Sequence, residues 1–326
     1  MDRNWFNQLE YPELHFQSMQ PSISRTIHRR DAGTDTWLSF GAKQLAPSNS
    51  TSFAYTVLEN EEAVGQALFD ELIAYAGETQ DDIVFVLLGG RGAQAMYRII
   101  AEKCESGELD AVLSRLHVFT QDALAPMRMN NGLSFVRDFE RLLGNKFFAK
   151  VKSFTPMQTE TDDVVAELTN YIEQIADLGG IDLLYLGLGP EANAASHLCY
   201  IKPGCGARLT DYAGAIGISS SILEHHISKF KAGGSEISPA DEKECREATH
   251  ILTLGPAAIL SAKRIVQSIV DASTAPGKKG SFKRLLETQI AEDPNELARQ
   301  VDENPGLLIR LHPDVRSYVL PDLISQ

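Results

Sequence analysis

Cysteine is scarce in this chain of 326 residues, with only Cys104, Cys199, Cys205 and Cys245. Thiols so few and so far apart make no disulfide framework, which argues for a reducing compartment, the cytoplasm. Long apolar runs are also missing: none approaches the roughly 18 residues that a bilayer-spanning helix needs. The opening Met1-Asp2-Arg3-Asn4-Trp5-Phe6 has no apolar core of an export signal, so no membrane association is expected. Positive charge is in deficit, 30 Lys and Arg against 44 Asp and Glu, for a net −14. That balance argues against nucleic acid as a partner, while a local basic pocket can still hold an anionic small molecule. Several signatures are absent. No Gly-Lys-Ser/Thr follows a glycine loop and no GxGxxG pattern is complete, so neither a Walker nucleotide site nor a dinucleotide site is indicated. His197-x-Cys199 with Cys205 fits no regular zinc spacing, and Ser196 lacks a nucleophile elbow. No metal and no cofactor are expected.

What the chain does contain is an alternation of strands and helices. Residues 1–55 are rich in Ser, Thr, Gln and Arg, include Arg29-Arg30-Asp31-Ala32-Gly33, and show no sustained period. They read as an N-terminal extension, either packed along the body or reaching a second subunit, with residues 56–326 as the α/β domain. Residues 61–76 carry Val64, Leu68, Leu72, Ile73 and Ala76 on one helical face. Residues 83–88 form an unbroken apolar run, as a strand buried on both faces of a parallel sheet would. Further strands are expected over 116–119, 181–186 and 251–254. Helices are expected over 93–104, 136–143, 164–178, 257–270 and 283–292, the last stopping before Pro294. Residues 307–311 read as a strand or as a loop leading to His312-Pro313. The pattern predicts an α/β fold: a doubly wound, mostly parallel, Rossmann-like sheet with helices on both faces.

In such sheets chemistry gathers at the carboxyl ends of the strands. Gly89-Gly90-Arg91-Gly92 lies between a strand and a helix, where bare backbone and free helix N–H groups can cradle a phosphate; a tight strand-to-helix turn also needs glycine. Arg91 can add a charge-assisted contact. Asp122 ends the strand at 116–119 and is placed either as a general base or as a turn residue. The loop 187–197 follows another central strand and offers Glu191, Asn193, Ser196 and His197, although a single histidine is more often structural. Lys278 and Lys279 can bring cations to an anionic ligand, or simply face water in a turn.

In order and spacing these pieces resemble the glucosamine-6-phosphate deaminase / 6-phosphogluconolactonase family, over about residues 58–322. Leu88-Gly89-Gly90-Arg91-Gly92-Ala93, with Tyr97 behind it, resembles the family's Ser-Gly-Gly-Ser-Thr-Pro phosphate loop. Val118-Phe119-Thr120-Gln121-Asp122 is similar to its Phe-x-x-Asp segment, and Ser134-Phe135 to its Ser-Tyr. Gly180-Ile181-Asp182-Leu183 through Gly189-Pro190-Glu191-Ala192-Asn193 resembles Gly-Ile-Asp-Leu followed by Gly-x-Gly-x-Asp-Gly-His. Leu252-Thr253-Leu254-Gly255, Lys278 or Lys279, and Leu311-His312-Pro313 complete the series.

The resemblance implies a small-molecule sugar phosphate as ligand and leaves monomer or homo-oligomer open. It implies Asp122 as the base that shuttles a proton between neighbouring carbons of an open-chain sugar, with Glu191 and His197 as its catalytic companions. It also implies a phosphate-binding set of Gly89, Gly90, Arg91, Gly92, Asn193, Arg208, Lys278 and Lys279. The chain departs from the family at the Asp-Gly-His positions, which hold Glu191, Ala192 and Asn193. Asparagine takes up no proton near neutral pH and so does not replace histidine as an acid–base group. Arg91 and Gly92 stand where the phosphate loop has hydroxyls. The phosphate-binding arginine would fall near Ser219–Ser221, where there is none; Arg208 is the nearest upstream. The expectation is a divergent isomerase- or deaminase-like enzyme acting on a phosphorylated sugar or related polyol. The alternatives are a non-catalytic sugar-phosphate sensor or assembly subunit, and a lactonase-like hydrolase.

Overall fold

The apolar runs at residues 83–88, 116–119 and 181–186 come together side by side. The computed structural model describes residues 25–41, 53–191 and 195–325. In chain order its strands are β1 (His28–Ala32), β2 (Asp35–Ser39), β3 (Thr56–Val57), β4 (Ile83–Leu87), β5 (Leu116–Thr120), β6 (Asp122–Ala125), β7 (Ser153–Thr155), β8 (Leu183–Glu191), β9 (Ala195–Leu198), β10 (Ala213–Gly217), β11 (His250–Leu254), β12 (Arg264–Ile269) and β13 (Val315–Val319). Seven of them form a parallel sheet in the order β3-β13-β12-β8-β4-β5-β7, and β9 folds back antiparallel onto the end of β8. Every residue of β4 and of β5 is buried, as expected of strands covered by helices on both faces. This is the Rossmann-like α/β architecture that the sequence predicts. No helix among the described residues is long and apolar enough to cross a membrane.

The strand order contains a reversal. From β4 the chain steps outward to β5 and β7, returns to β8 on the other side of β4, and then builds β12 and β13 beyond it. The switch point therefore lies between β4 and β8. Their ladder has only two pairs, Phe85 with Leu183 and Val86 with Leu184. The flanking ladders run further, to Leu87 with Thr120 on one side and Gly187 with Ser268 on the other. Asp182 fixes the start of the short ladder. Its buried carboxylate accepts the Val84 N–H at 2.7 Å and the Tyr75 hydroxyl at 3.1 Å, while its own N–H donates to the Val84 carbonyl at 3.0 Å. Beyond Leu184 the two strands are no longer joined, and a crevice opens at their carboxyl ends, as it does at the switch point of open α/β sheets.

Four features differ from the sequence expectation. Residues 251–254 are a strand, but β11 belongs to a second, antiparallel sheet ordered β1-β2-β10-β11-β6. Residues 257–270 are not one helix. A short helix, Pro256–Ser261, ends at Ser261 and β12 follows directly. From Ile265 to Ile269 every residue of β12 is buried because the strand is enclosed by β8 and β13, and a continuously buried segment shows neither period. Residues 307–311 lie in a 3-10 helix, Pro305–Leu311. His312, which follows it, is buried with its Nε2 against the Ala262 carbonyl at 2.7 Å, a structural contact. The last feature concerns the N-terminal extension. In its described part it is an integral hairpin: β1 pairs with β2, and β2 pairs with β10.

Trp37 of β2 is 0% exposed and packs over the backbone of β10. Replacing an indole that is wholly enclosed leaves a cavity, so Trp37→Ala is expected to destabilise the protein by about 3–5 kcal/mol in urea unfolding. A cost under about 1 kcal/mol would show that the hairpin is dispensable to the fold.

Candidate functional site

Four strand ends meet at the switch point and enclose a cleft of about 90 Å³. β4 contributes the loop Gly89–Gly92, β5 leads into Gln121 and Asp122, β8 contributes Gly187–Gly189, and β12 ends in Ser268, Val270 and Asp271. The helix Ser220–Ala232 closes one side with His225, His226, Lys229 and Phe230. The helix Gly277–Glu287 supplies Lys278, and the segment after β9 supplies Cys199 and Tyr200, with His197 from β9 itself.

The glycine loop has two jobs. Gly90, with φ 75°, takes a conformation that L side chains rarely adopt. Gly89 lets the Phe135 ring approach so closely that a Cβ there would lie 2.5 Å from it. The chain then turns into a 3-10 helix, Arg91–Ala93, and the helix Gln94–Ser106, whose first N–H groups have no acceptor within the helix. Arg91 lines the cleft, but its guanidinium is engaged by Glu61, with Nη2–Oε1 2.6 Å and Nε–Oε2 3.1 Å.

Asp122 is 5% exposed, and no ion pair among the described residues reaches it. Burial alone pushes its carboxyl up to about 8. An isolated carboxylate loses its hydration in such a place, so the proton is held. Asp271, at the other end of the cleft, is also buried, and burial would raise it too. Lys278 and Lys229 outweigh that effect and hold it below its usual range. Lys229 Nζ and Lys278 Nζ each lie 2.5 Å from a different Asp271 oxygen. Burial in turn lowers Lys278 despite the pull of Asp271. Two lysines sharing one carboxylate leave one positive charge facing the cleft.

The three histidines are neutral at pH 7. Burial holds His197 well below its usual value, with His225, Lys278 and His226 adding to the effect. Burial also takes His226 down to about 4, and burial with Lys278 and Lys229 takes His225 to about 4. His226 Nε2 faces the Leu133 carbonyl at 2.7 Å, so its Nδ1 accepts from the Tyr200 hydroxyl at 2.8 Å. Cys199 donates its thiol to the Gln121 Oε1 at 3.1 Å. Cys199 and Tyr200 both have positive φ, 49° and 56°.

The site residues expected from sequence divide into two groups. Asp122, His197, Gly89, Gly90, Arg91, Gly92 and Lys278 all line the one cleft. Glu191, Arg208 and Lys279 do not. Glu191 accepts from the Ser219 hydroxyl at 2.8 Å and from Ser221, at the start of the helix Ser220–Ala232. Arg208 is exposed, and Lys279 reaches the Ser325 hydroxyl at 3.4 Å. Asn193 lies outside the described residues. Lys278 is not in a solvated turn: it belongs to the first turn of the helix Gly277–Glu287. Sequence reasoning missed His225, His226, Lys229, Ser268 and Asp271. The His225/Lys229 spacing of four puts both on one helical face, a signal that reading residues 220–232 as a helix would have exposed. Among the described residues no group of three or more His, Cys, Asp or Glu is arranged to hold a metal ion.

The site sits where Rossmann-like α/β proteins place a ligand, and comparison with known proteins narrows that class. No family model matches the chain. It is 24% identical over 260 residues to the glucosamine-6-phosphate deaminase of Clostridium beijerinckii, covering 79% of this chain and 91% of that one. It is 25% identical over 249 residues to the enzyme of the same name from Halothermothrix orenii, covering 75% and 88%. Among solved structures, a monomeric glucosamine-6-phosphate deaminase superposes with a TM-score of 0.65 at 18% identity, covering 83% of this chain and 98% of that one. The 6-phosphogluconolactonase of Trypanosoma brucei superposes at 0.58 and 15% identity, covering 83% and 98%. In sequence the chain is similar to glucosamine-6-phosphate deaminases, and in fold to a member of that group and to 6-phosphogluconolactonases.

The environment of Asp122 has a thermodynamic consequence. Its folded-state value, about 8, lies above the roughly 3.9 of an unfolded chain. Its contribution is therefore most favourable below pH 4 and is lost as pH rises through 8. Asp122→Asn removes that loss. The variant is expected to melt higher than the wild type at pH 9, by a difference on the order of a few kcal/mol, and to lose the advantage at pH 4. Equal pH dependence of the two melting temperatures would contradict a desolvated carboxyl.

Proposed function

We propose that the cleft binds a phosphorylated sugar and that Asp122 transfers a proton between neighbouring carbons beside its carbonyl, as in an aldose–ketose isomerisation with or without loss of an amine. The observation that carries this reading is Asp122 itself: a carboxyl buried at the switch point, facing a small cleft, with no cation among the described residues to neutralise it. The names of the relatives, glucosamine-6-phosphate deaminases and 6-phosphogluconolactonases, support a sugar phosphate as the ligand class. The polarity of the cleft supports it as well. One end offers Lys229, Lys278 and the N–H groups that follow Gly90, a fit for a phosphate dianion. The other end offers Asp122 among Gln121, Cys199 and Phe135.

In this reading the lysines hold the phosphate and fix the distance to the sugar's carbonyl end. Asp122, ionised, takes the proton from the carbon next to the carbonyl. The C–H electron pair becomes a C=C bond and the carbonyl pair moves to oxygen, giving an enediolate. Asp122 then returns the proton to the neighbouring carbon, while the hydroxyl proton passes between the two adjacent oxygens of the enediolate, so that the carbonyl re-forms one carbon along. A carboxylate that binds its proton at about pH 8 is a far stronger base than one in water, which suits abstraction from carbon.

A second reading, a sugar-phosphate sensor without turnover, draws on the placement of Glu191. Its carboxylate is taken up by Ser219 and Ser221 instead of lining the cleft beside Asp122.

Asp122→Asn is expected to lower kcat about 10²- to 10⁴-fold, with the far-ultraviolet circular dichroism unchanged. Unchanged turnover in that variant would sink the proton-transfer reading, and binding of glucosamine 6-phosphate without turnover by the wild type would establish the sensor. Because the ionised form is the base, kcat/KM should rise with pH through about 8. Lys278→Met should weaken binding of inorganic phosphate roughly tenfold or more by calorimetry, and an unaltered affinity would remove Lys278 from the phosphate end.

A further inference from the structure

We infer that His197 is a fixed hydrogen-bond donor in the cleft, presenting Nε2–H to the ligand oxygen on which negative charge develops. The identity of that oxygen rests on the sugar-phosphate reading; the donor itself rests on geometry. The Tyr200 N–H donates to His197 Nδ1 at 3.2 Å. A neutral imidazole carries one proton, so with Nδ1 accepting, the proton is on Nε2. Burial holds the ring neutral at physiological pH, which removes the form with both nitrogens protonated. Among the described residues His197 Nε2 is fully buried and has no hydrogen-bond partner, although its ring lines the cleft. Buried donors are satisfied in the great majority of cases, and an orphan calls for an acceptor that binds there.

The surroundings hold this arrangement in place. The ring lies over Gly189, where a Cβ would come within 2.0 Å of both Cε1 and Nε2, so glycine is needed for the imidazole to occupy the wall. Tyr200 is locked in turn: its hydroxyl donates to His226 Nδ1 and its ring lies 4.6 Å from that of His197, centre to centre. His226 is tied to the Leu133 carbonyl. Tyr200 and His226 are thus positioning residues, and they fix which nitrogen of His197 holds the proton. His197 keeps that proton throughout. When Asp122 removes the carbon-bound proton, the carbonyl oxygen gains charge, and the donor stabilises it without titrating, in the manner of an oxyanion hole.

The test combines a spectrum with two ligands. Long-range ¹H–¹⁵N correlation of histidine-labelled wild-type protein should show His197 as the Nε2–H tautomer from pH 6 to 8. An Nδ1–H tautomer or an imidazolium would overturn the inference whatever the ligand. Calorimetry then compares a phosphorylated sugar hydroxamate, whose planar anionic oxygen imitates an enediolate, with glucitol 6-phosphate, which has no carbonyl. His197→Leu should lose about 10- to 100-fold in affinity for the hydroxamate and none for glucitol 6-phosphate. His197→Gln, whose amide keeps a donor, should recover part of the loss. Equal losses for both ligands, or none for either, would overturn the donor assignment alone. A wild type that binds neither ligand would instead overturn the sugar-phosphate reading.

Discussion

Between β4 and β8 only two pairs of residues are joined, and almost everything else at the site follows from that short ladder. Asp182 secures its start through the Val84 N–H and the Tyr75 hydroxyl, so the two strands leave a common point on diverging paths. The gap they leave is filled from each side by the turns that follow them, Gly89–Gly92 and Gly187–Gly189. Were the ladder to continue to Leu87 and Gly187, as the flanking ladders of β4 with β5 and of β8 with β12 do, the backbone groups that face the cleft would be consumed in pairing.

The cleft makes opposite use of burial at its two ends. Asp122 and Asp271 are both 5% exposed, yet one is pushed up to about 8 and the other is held below its usual range. The difference lies in their neighbours: Asp271 has Lys229 and Lys278 within ion-pair distance, and Asp122 has no cation there among the described residues. Desolvation without a partner produces a strong base, and desolvation with two cations produces a positively charged seat for an anion. Both conditions are needed for a site that anchors a phosphate at one end and moves a proton at the other.

The loop after β8 turns away from the cleft at its far end. The Glu191 carboxylate is drawn to Ser219 and Ser221, at the start of a helix where negative charge is favoured. That helix carries His225, His226 and Lys229 into the cleft. Glu191 therefore bears on the site through Ser219, the N-cap of that helix, while His197, Tyr200 and His226 form a connected set on the wall itself.

By itself the sequence determined the parallel sheet, through runs such as Ile83–Leu87 that are apolar at every position. It also marked the strand ends where Asp122 and the glycine turns fall, because strand termini and glycines are local features. β12 was misread, since a segment enclosed on all sides carries no period, and the antiparallel sheet went unseen, since its strands come from residues as distant as Trp37 and Thr253. The split among the expected site residues had the same origin. Asp122, His197 and Lys278 converge and Glu191, Arg208 and Lys279 do not, because convergence depends on which way each element faces after packing. Charge state was likewise settled only by the tertiary structure. An aspartate becomes a base at pH 8, or stays an anion beside two lysines, according to what surrounds it, and that environment is assembled from strands and helices far apart in the chain.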